Sequence, residues 1–275
     1  MRTNQRIPRA VVLERLRQSV AESQPILGAG CSAGIVAKAA ADAGSDLVIV
    51  YSTGRTRLMG LPTWRFGDAN AITLEMSQEI HNVVVDVPTI AGVEANDPTR
   101  MDLGLLLDEF VLRGFSGVIN FPTLTNMPDL RRRAEQVGLG FEREVEMLRL
   151  ARERDLFTMA YAASEADVAM MAASGVDCLV IHAGPTGGGV RGYHPTESIE
   201  GLIETSEQLI STALASNPEL LVLLHGGLLS GPDEVQVALK GTSAVGFVGA
   251  SSIERIPIER AVSETVRSFK GLEMR

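Results

Sequence analysis

Short apolar runs alternate along the chain with longer segments of helical character, and most runs are closed by Gly, Ser, Asn or His. Runs such as DLVIVY and LLVLLH are apolar at successive positions, which is typical of strands covered on both faces. Their alternation with helices indicates βαβ units. The pattern therefore predicts an α/β protein, a (β/α)8 TIM barrel. The predicted strands are residues 25–30, 46–51, 88–93, 117–121, 156–161, 177–182, 220–225 and 244–249.

Apolar stripes predict a further helix at each end of the chain. We expect the first helix to cap the amino-terminal end of the barrel, and the second to pack on the barrel or on a neighbouring subunit. A homo-oligomer is therefore the expected state. The first stripe consists of Val11, Val12, Leu13, Leu16 and Val20; the second starts just after Pro257 and consists of Ile258, Val262, Thr265, Val266 and Phe269.

The length and composition fit a single TIM-barrel domain over residues 1–275. A complete barrel of this kind has about 250 residues. Hydrophobic residues make up 45% of the chain and aromatic residues only 4%, so aliphatic side chains must fill the core. The formal net charge of -9 argues against a nucleic-acid partner, because phosphate backbones are held by clustered Lys and Arg.

The expected location is the cytoplasm, without membrane contact. No apolar run approaches the roughly 20 residues of a membrane span. Cys31 and Cys178 are too few and too far apart for a disulfide scaffold or a zinc site, which favours a reducing compartment.

Two of the four histidines, His182 and His225, occupy the last positions of neighbouring predicted strands. Catalytic groups of β/α barrels project from the carboxyl ends of strands, and imidazoles transfer protons near neutral pH. We therefore predict that these two act as general acid and base. The alternative is that each only hydrogen-bonds a loop backbone. His81 and His194 are weaker candidates, on a helix and in a loop respectively.

Glycine-rich turns after the last three strands can bind an anion through backbone N–H groups. The segment 182–192 contains HAGPTGGGVRG, which is either an anion cradle or a mobile lid. Many barrels bind phosphate after strands seven and eight. This places phosphate or another oxyanion at the residues of the HGG and GASS turns, which are Gly226, Gly227, Gly249, Ala250 and Ser251.

Charged residues follow strands two and three. Arg55 and Arg57 can hold a carboxylate or phosphate through paired hydrogen bonds, or can form exposed ion pairs. Glu94 and Asp97 can bind a divalent cation, although carboxylates at this spacing also suit turns and helix caps.

Eight motifs, in order along the chain, resemble the phosphoenolpyruvate hydrolase-like family of TIM-barrel proteins over nearly its whole length. They are ILGAGCSAG, DLVIVYSTGRTRLMGLPT, LEMSQEI, TIAGVEANDP, GFSGVINFPT, FEREVEMLRLA, HGG and GFVGASSIERIP. The order of these motifs is far more specific than any single glycine pattern.

The resemblance implies a relation to the phosphoenolpyruvate mutase and isocitrate lyase superfamily, whose members handle pyruvate-like enolates with carboxylate-bound magnesium. It implies a keto acid or enol phosphate substrate, with Ser52 and Gly54 at positions that hold the pyruvyl unit. Two departures make magnesium doubtful: Gly92-Val93-Glu94 stands where relatives carry Asp-x-Asp, and Asn120 replaces a glutamate. Relatives also occur joined to a nucleotide-binding domain, which makes such a partner domain conceivable here.

The sequence therefore predicts an enzyme that cleaves a C–C or P–O bond in a small anionic metabolite. Ser52, Gly54, Arg55 and Asn120 would bind the substrate, and Glu94 would act in catalysis, by holding a metal or positioning water. The alternative is a noncatalytic barrel that binds a metabolite and reports it to a partner domain, since one barrel fold serves many functions.

Overall fold

The computed structural model describes residues 6–190 and 192–274, and its centre is a closed barrel of parallel strands. Each strand pairs with its neighbours in chain order, and β8 closes the barrel on β1. All eight predicted strands are confirmed, with ends shifted by at most two residues. They are β1 (Ile26–Gly30), β2 (Leu47–Val50), β3 (Thr89–Val93), β4 (Gly117–Asn120), β5 (Phe157–Ala162), β6 (Cys178–His182), β7 (Leu221–His225) and β8 (Gly246–Gly249).

Helices connect the strands and surround the barrel, as parallel strands require. Among the described residues, no helix is both long enough and apolar enough to cross a bilayer. The helices are α1 (Arg9–Ala21), α2 (Gly34–Asp42), α3 (Gly54–Leu58), α4 (Ala69–His81), α5 (Leu103–Leu112), α6 (Pro128–Glu135), α7 (Phe141–Glu153), α8 (Glu165–Ala173), α9 (Ile199–Ser216), α10 (Pro232–Gly241) and α11 (Arg255–Lys270).

The apolar core forms two layers, because successive strand residues point to opposite faces. One layer lies between the strands and the surrounding helices. The other fills the inside of the barrel, with Ile49, Ile90 and Val180 fully buried there. This explains why the strands are apolar at successive positions: every residue of β2 is buried on one face or the other.

Helix α1 caps the amino-terminal end of the barrel, as predicted. Its side chains Val12 and Leu16 are buried in the inner layer, together with Ile26 and Leu47, the first residues of their strands. Inner-layer residues at strand starts therefore have an apolar cover, and the opposite end of the barrel is left for a ligand.

Helix α11 leaves its apolar stripe exposed instead of packing it on its own barrel. In this it differs from α1, the other helix predicted from an apolar stripe. The exposed fractions of Val262, Val266 and Phe269 are 57%, 54% and 69%. The helix begins at Arg255 rather than after Pro257, because a proline in the first helical turn lacks only an N–H that has no partner there. An apolar groove of about 640 Å³ lies over β1 and β8 beside α10, where a helix following β8 would pack.

Candidate active site

A cavity of about 850 Å³ opens at the carboxyl ends of the strands. Its floor is formed by residues at the ends of β2, β5, β6 and β7, and its walls by the loops that follow β2, β4, β6 and β8. This is the end at which β/α barrels carry their chemistry. Of the residues predicted as site residues, Arg57, His182, His225, Ala250 and Ser251 line it.

The two strand-end histidines are neighbours at the floor of this cavity. His182 and His225 are directly paired in the β6–β7 register, and their ring centroids are 4.9 Å apart. Their exposed fractions are only 9% and 7%. The structure thus brings together the two imidazoles that the sequence predicted at one rim.

Backbone hydrogen bonds give the two imidazoles opposite tautomers. His182 Nδ1 accepts from the backbone N–H of Gly184 at 3.0 Å, and Asn126 Nδ2 lies 2.7 Å from the same nitrogen. Because a backbone N–H can only donate, the neutral ring of His182 carries its proton on Nε2. His225 Nδ1 lies 2.7 Å from the carbonyl oxygen of Val248. That oxygen can only accept, so His225 carries its proton on Nδ1 and a lone pair on Nε2.

Both imidazoles are held in the neutral form. Burial lowers the pKa of His182 well below its usual value, and the neighbouring His225 lowers it further. Burial also lowers the pKa of His225 to about 4, with a smaller contribution from the charge of Arg57. At neutral pH the pair therefore presents one N–H donor and one basic lone pair on the ring edges not used by the backbone.

Two tyrosines lie beneath the histidines. The Tyr161 ring packs against both imidazoles, at centroid distances of 4.8 Å from His182 and 5.0 Å from His225. The hydroxyl groups of Tyr51 and Tyr161 are 2.5 Å apart, and burial raises the pKa of both. One hydroxyl proton lies between the two oxygens, so the other is available to a ligand.

A buried ion pair lies beside the tyrosines. Arg57 Nε donates to Glu254 Oε1 at 2.6 Å, and Ser32 donates to the same carboxylate through its backbone N–H and its hydroxyl, each at 2.9 Å. Arg57 lines the cavity with its side chain only 2% exposed. Its Nη2 also lies 2.6 Å from Glu254 Oε1 in the ion pair and makes no further hydrogen bond within the described residues.

The other residues predicted after β2 do not line the cavity. Arg55 pairs with the exposed Glu75 at 3.3 Å, which is the exposed ion pair that the sequence left open as an alternative. Ser52 is buried outside the cavity lining. A Cβ on Gly54 would lie 1.4 Å from Ser32 Oγ, so this glycine provides room for the buried ion pair. The short helix α3 begins at Gly54.

The predicted phosphate-binding glycines also lie outside the cavity lining. A Cβ on Gly226 would lie 1.9 Å from the carbonyl oxygen of Gly184. The backbone N–H of Gly227 donates to that same oxygen at 3.1 Å. Gly249 packs against Ser252 and Ile253. These glycines therefore let loops approach one another closely, and of this predicted set only Ala250 and Ser251 line the cavity.

The glycine-rich segment after β6 contacts the start of α11. Arg255 Nη2 donates to the carbonyl oxygen of Gly188 at 2.9 Å, and the Val190 backbone N–H donates to Glu259 at 2.8 Å. Pro185 and Thr186 of this segment line the cavity. Arg191, which belongs to the predicted segment, lies outside the described residues.

The carboxylates near the cavity do not fit a divalent cation. Glu94 is paired with Arg65, and Asp97 accepts from the backbone N–H and hydroxyl of Thr99, the turn arrangement that the sequence allowed. Asn120 lies inside the barrel wall, where its side chain bonds the Tyr161 backbone and the buried Glu144. Within residues 6–190 and 192–274 no three His, Cys, Asp or Glu side chains converge on a possible metal position.

Several residues of the site were not assigned a role from the sequence, among them Tyr51, Thr53, Tyr161 and Glu254. Thr53 and Tyr51 lie within the strand-two motif, and their position at a strand end was the available signal. The spacing of Ser251 and Glu254 predicts a helix cap. That prediction is wrong, because the Glu254 carboxylate turns inward to Arg57 and α11 begins without a side-chain cap.

The fold and the site together define a (β/α)8 barrel with a pair of buried, neutral histidines at its carboxyl end. Residues 11–272 match the family model described as phosphoenolpyruvate hydrolase-like, and the chain belongs to this family, as its motifs predicted.

One curated relative is the ToMV susceptible protein tm-1(GCR26) of Solanum lycopersicum. It is 40% identical over 276 aligned residues, which cover 97% of this chain and 36% of the relative. The chain therefore spans little more than a third of that protein's length.

Solved structures with the same fold include phosphonopyruvate hydrolase in complex with oxalate and Mg++. That structure has a TM-score of 0.61 and 16% sequence identity, and the match covers 94% of this chain and 87% of that one. A 2,3-dimethylmalate lyase of the PEP mutase/isocitrate lyase superfamily has a TM-score of 0.61 at 15% identity, covering 96% and 90% of the two chains. The names of these neighbours agree with the class of enzyme expected from the sequence.

Proposed function

We propose that this barrel is an enzyme that cleaves a C–C bond in a small anionic keto acid. The observation that carries the proposal is the pair of opposite tautomers: His225 presents a lone pair and His182 presents an N–H donor, side by side in one cavity. P–O cleavage of an enol phosphate is less favoured, because the glycines expected to receive phosphate do not line the cavity.

The proposed reaction is a hydrolytic cleavage beside a ketone. His225 Nε2 takes a proton from water, and the resulting hydroxide adds to the keto carbon. The carbonyl oxygen becomes an oxyanion that accepts a hydrogen bond from His182 Nε2–H. When the C–C bond breaks, one fragment leaves as a carboxylic acid, and the electron pair stays on the other fragment as a carbanion or enolate. That carbon takes up the proton from His225, which forms a C–H bond and restores the base.

No metal is assigned a step in this mechanism. The magnesium that the family resemblance suggested would require carboxylates free to bind it, whereas Glu94 is paired with Arg65. The charge stabilisation that a cation would supply comes instead from fixed N–H and O–H donors. Glu94 therefore acts on the orientation of Arg65 rather than on substrate.

A substrate screen tests the proposal. The protein is incubated with oxaloacetate, phosphoenolpyruvate and a series of keto acids, and the released acids are detected by nuclear magnetic resonance. Carboxylic acid release from a keto acid supports C–C cleavage, and release of inorganic phosphate supports the less favoured P–O reaction. Binding without turnover of any compound would favour the alternative, a noncatalytic barrel that reports a metabolite to a partner domain. That alternative has support in the greater length of the tomato relative.

We also propose that the chain forms a homo-oligomer through α11. The apolar face of this helix is exposed, and the same chain carries an apolar groove over β1 and β8. Placing α11 of one copy in the groove of a second copy covers both surfaces at once. The cytoplasmic location stays a prediction, supported by two buried cysteines that form no disulfide.

A further inference from the structure

The floor of the cavity holds several buried donors that the protein itself does not use. Thr53 Oγ1 is buried and has no hydrogen-bond partner within the described residues, and Arg57 Nη2 makes no contact there beyond its ion pair with Glu254. The tyrosine pair has one hydroxyl proton to spare, and His182 presents Nε2–H. All these residues line the cavity. Since an unpaired buried donor is costly, the floor is built for a ligand group rich in acceptor oxygens.

The charge balance of the cavity indicates the ionic state of that group. Arg57 is paired with Glu254, and Arg65 is paired with Glu94. The two histidines are neutral because burial lowers the pKa of both. The floor therefore offers directed hydrogen bonds with little excess positive charge, which suits one carboxylate better than a doubly charged phosphate.

The mouth of the cavity has a different character. Trp64 and Phe66, in the segment after α3, are 67% and 38% exposed, and both line the cavity. On the other side, Met127 and Leu130 are 39% and 43% exposed and line it as well. Large apolar side chains exposed on two walls of one cavity mark a surface that an apolar ligand group would cover.

The size of the cavity agrees with a polar floor and an apolar mouth that bind different groups of one ligand. At about 850 Å³ it lies in the upper part of the range of roughly 300–1,000 Å³ typical of sites for drug-sized ligands. An acid of the size of pyruvate would contact the floor and leave the apolar mouth uncovered. A ligand that contacts both ends must be longer and must carry an apolar group.

We infer that the substrate is a keto acid with a bulky apolar substituent, such as an aryl group. Its carboxylate binds Arg57 and Thr53 at the floor, and its substituent lies between the apolar walls of the mouth. The inference rests on the proposed function for the keto group, whereas the carboxylate site and the apolar mouth do not depend on turnover.

Calorimetric binding at neutral pH tests the inference with three probes. Phenylpyruvate carries both groups, pyruvate carries only the acid, and phenylacetone carries only the ring and the ketone. The wild-type protein should bind phenylpyruvate at least about tenfold more tightly than either of the others, which corresponds to about 1.4 kcal/mol. Trp64→Ala should weaken phenylpyruvate binding and leave pyruvate binding unchanged.

Two sets of variants test the carboxylate site. Thr53→Val keeps the shape of the side chain and the buried ion pair, and should weaken phenylpyruvate binding about tenfold. Arg57→Gln alone would leave Glu254 buried without its counter-charge, so it is combined with Glu254→Gln; this double variant should weaken binding further. The matched control is Arg55→Gln, in the same helix but paired with an exposed glutamate, which should bind as wild type does.

The outcomes separate this inference from the proposed function. Equal affinities for phenylpyruvate and pyruvate would refute the inferred apolar substituent of the substrate. Phenylacetone binding as tightly as phenylpyruvate would refute the inferred binding of a carboxylate. An Arg55→Gln effect as large as that of the double variant would overturn the placement at Arg57. If phenylpyruvate binds as expected but no keto acid is turned over, the proposed function fails while the ligand class stands. If only small acids bind and turn over, the proposed function stands while the inferred ligand class fails.

Discussion

Replacing His225 by asparagine removes the proposed base while keeping the hydrogen bond that orients it. The amide nitrogen of asparagine can occupy the place of Nδ1 and donate to the Val248 carbonyl oxygen, which His225 approaches at 2.7 Å. The lone pair at Nε2 is lost, and an amide does not take up a proton near neutral pH. The substitution thus separates the catalytic role of the imidazole from its structural role.

The expected effects of His225→Asn on turnover and on stability follow from these two roles. General acid–base catalysis contributes about 10²- to 10⁴-fold, so kcat should fall at least about a hundredfold, with a much smaller change in substrate affinity. Because the bond to Val248 is kept, and such a bond contributes roughly 0.5–1.5 kcal/mol, the free energy of unfolding should change by less than about 1 kcal/mol.

The assay measures kcat, substrate binding and the melting temperature of both proteins on a substrate found in the keto acid screen. His194→Asn is the matched control, since His194 is exposed, and it should retain full activity. Turnover by His225→Asn at the wild-type rate would show that His225 is not the base. A parallel loss of activity and thermal stability would show instead a histidine that mainly supports the structure.

Three further predictions concern pH, packing and assembly. Since burial lowers the pKa of His225 to about 4, kcat/KM should fall only as the pH approaches 4. The free energy of unfolding, measured by denaturant titration, should decrease from about pH 6.5 downwards, because the unfolded chain binds the proton first. Gly54→Ala should cost about 1–3 kcal/mol in chemical denaturation, since its Cβ would lie 1.4 Å from Ser32 Oγ, whereas Gly201→Ala has room and should not destabilise. Val262→Glu with Val266→Glu should give monomers in analytical ultracentrifugation; a wild-type protein that sediments at 29.4 kDa would refute assembly through α11.

The strands were predictable because their signal is local. A parallel strand buried on both faces is apolar at successive positions, as in β2 and β7, and nothing distant is needed to recognise it. The placement of His182 and His225 followed from the strands, since residues that end neighbouring parallel strands meet at one rim. Their opposite tautomers did not follow, because these depend on the backbone groups of Gly184 and Val248.

Other parts of the site depend on contacts that no local pattern contains. Arg57 and Glu254 are 197 positions apart, so Arg55 and Arg57 looked equivalent in the sequence although only one faces the cavity. The glycines Gly226 and Gly227 were ambiguous for a different reason. A glycine that lets two loops approach has the same appearance in a sequence as one that leaves its N–H open to a phosphate.

The barrel itself fixes which imidazole would act as base and which as donor in the proposed reaction. The carbonyl oxygen that holds the His225 proton belongs to β8, the strand that pairs with β7 at this position. The N–H that occupies His182 Nδ1 belongs to Gly184, in the turn that leaves β6. Exchanging the two tautomers would place a proton on His182 Nδ1, where it would face the Gly184 N–H and the Asn126 amide nitrogen. It would also leave the Val248 oxygen facing a lone pair on His225 Nδ1. Strand pairing and turn geometry therefore set the two tautomers, and with them the direction of proton transfer in the proposed reaction.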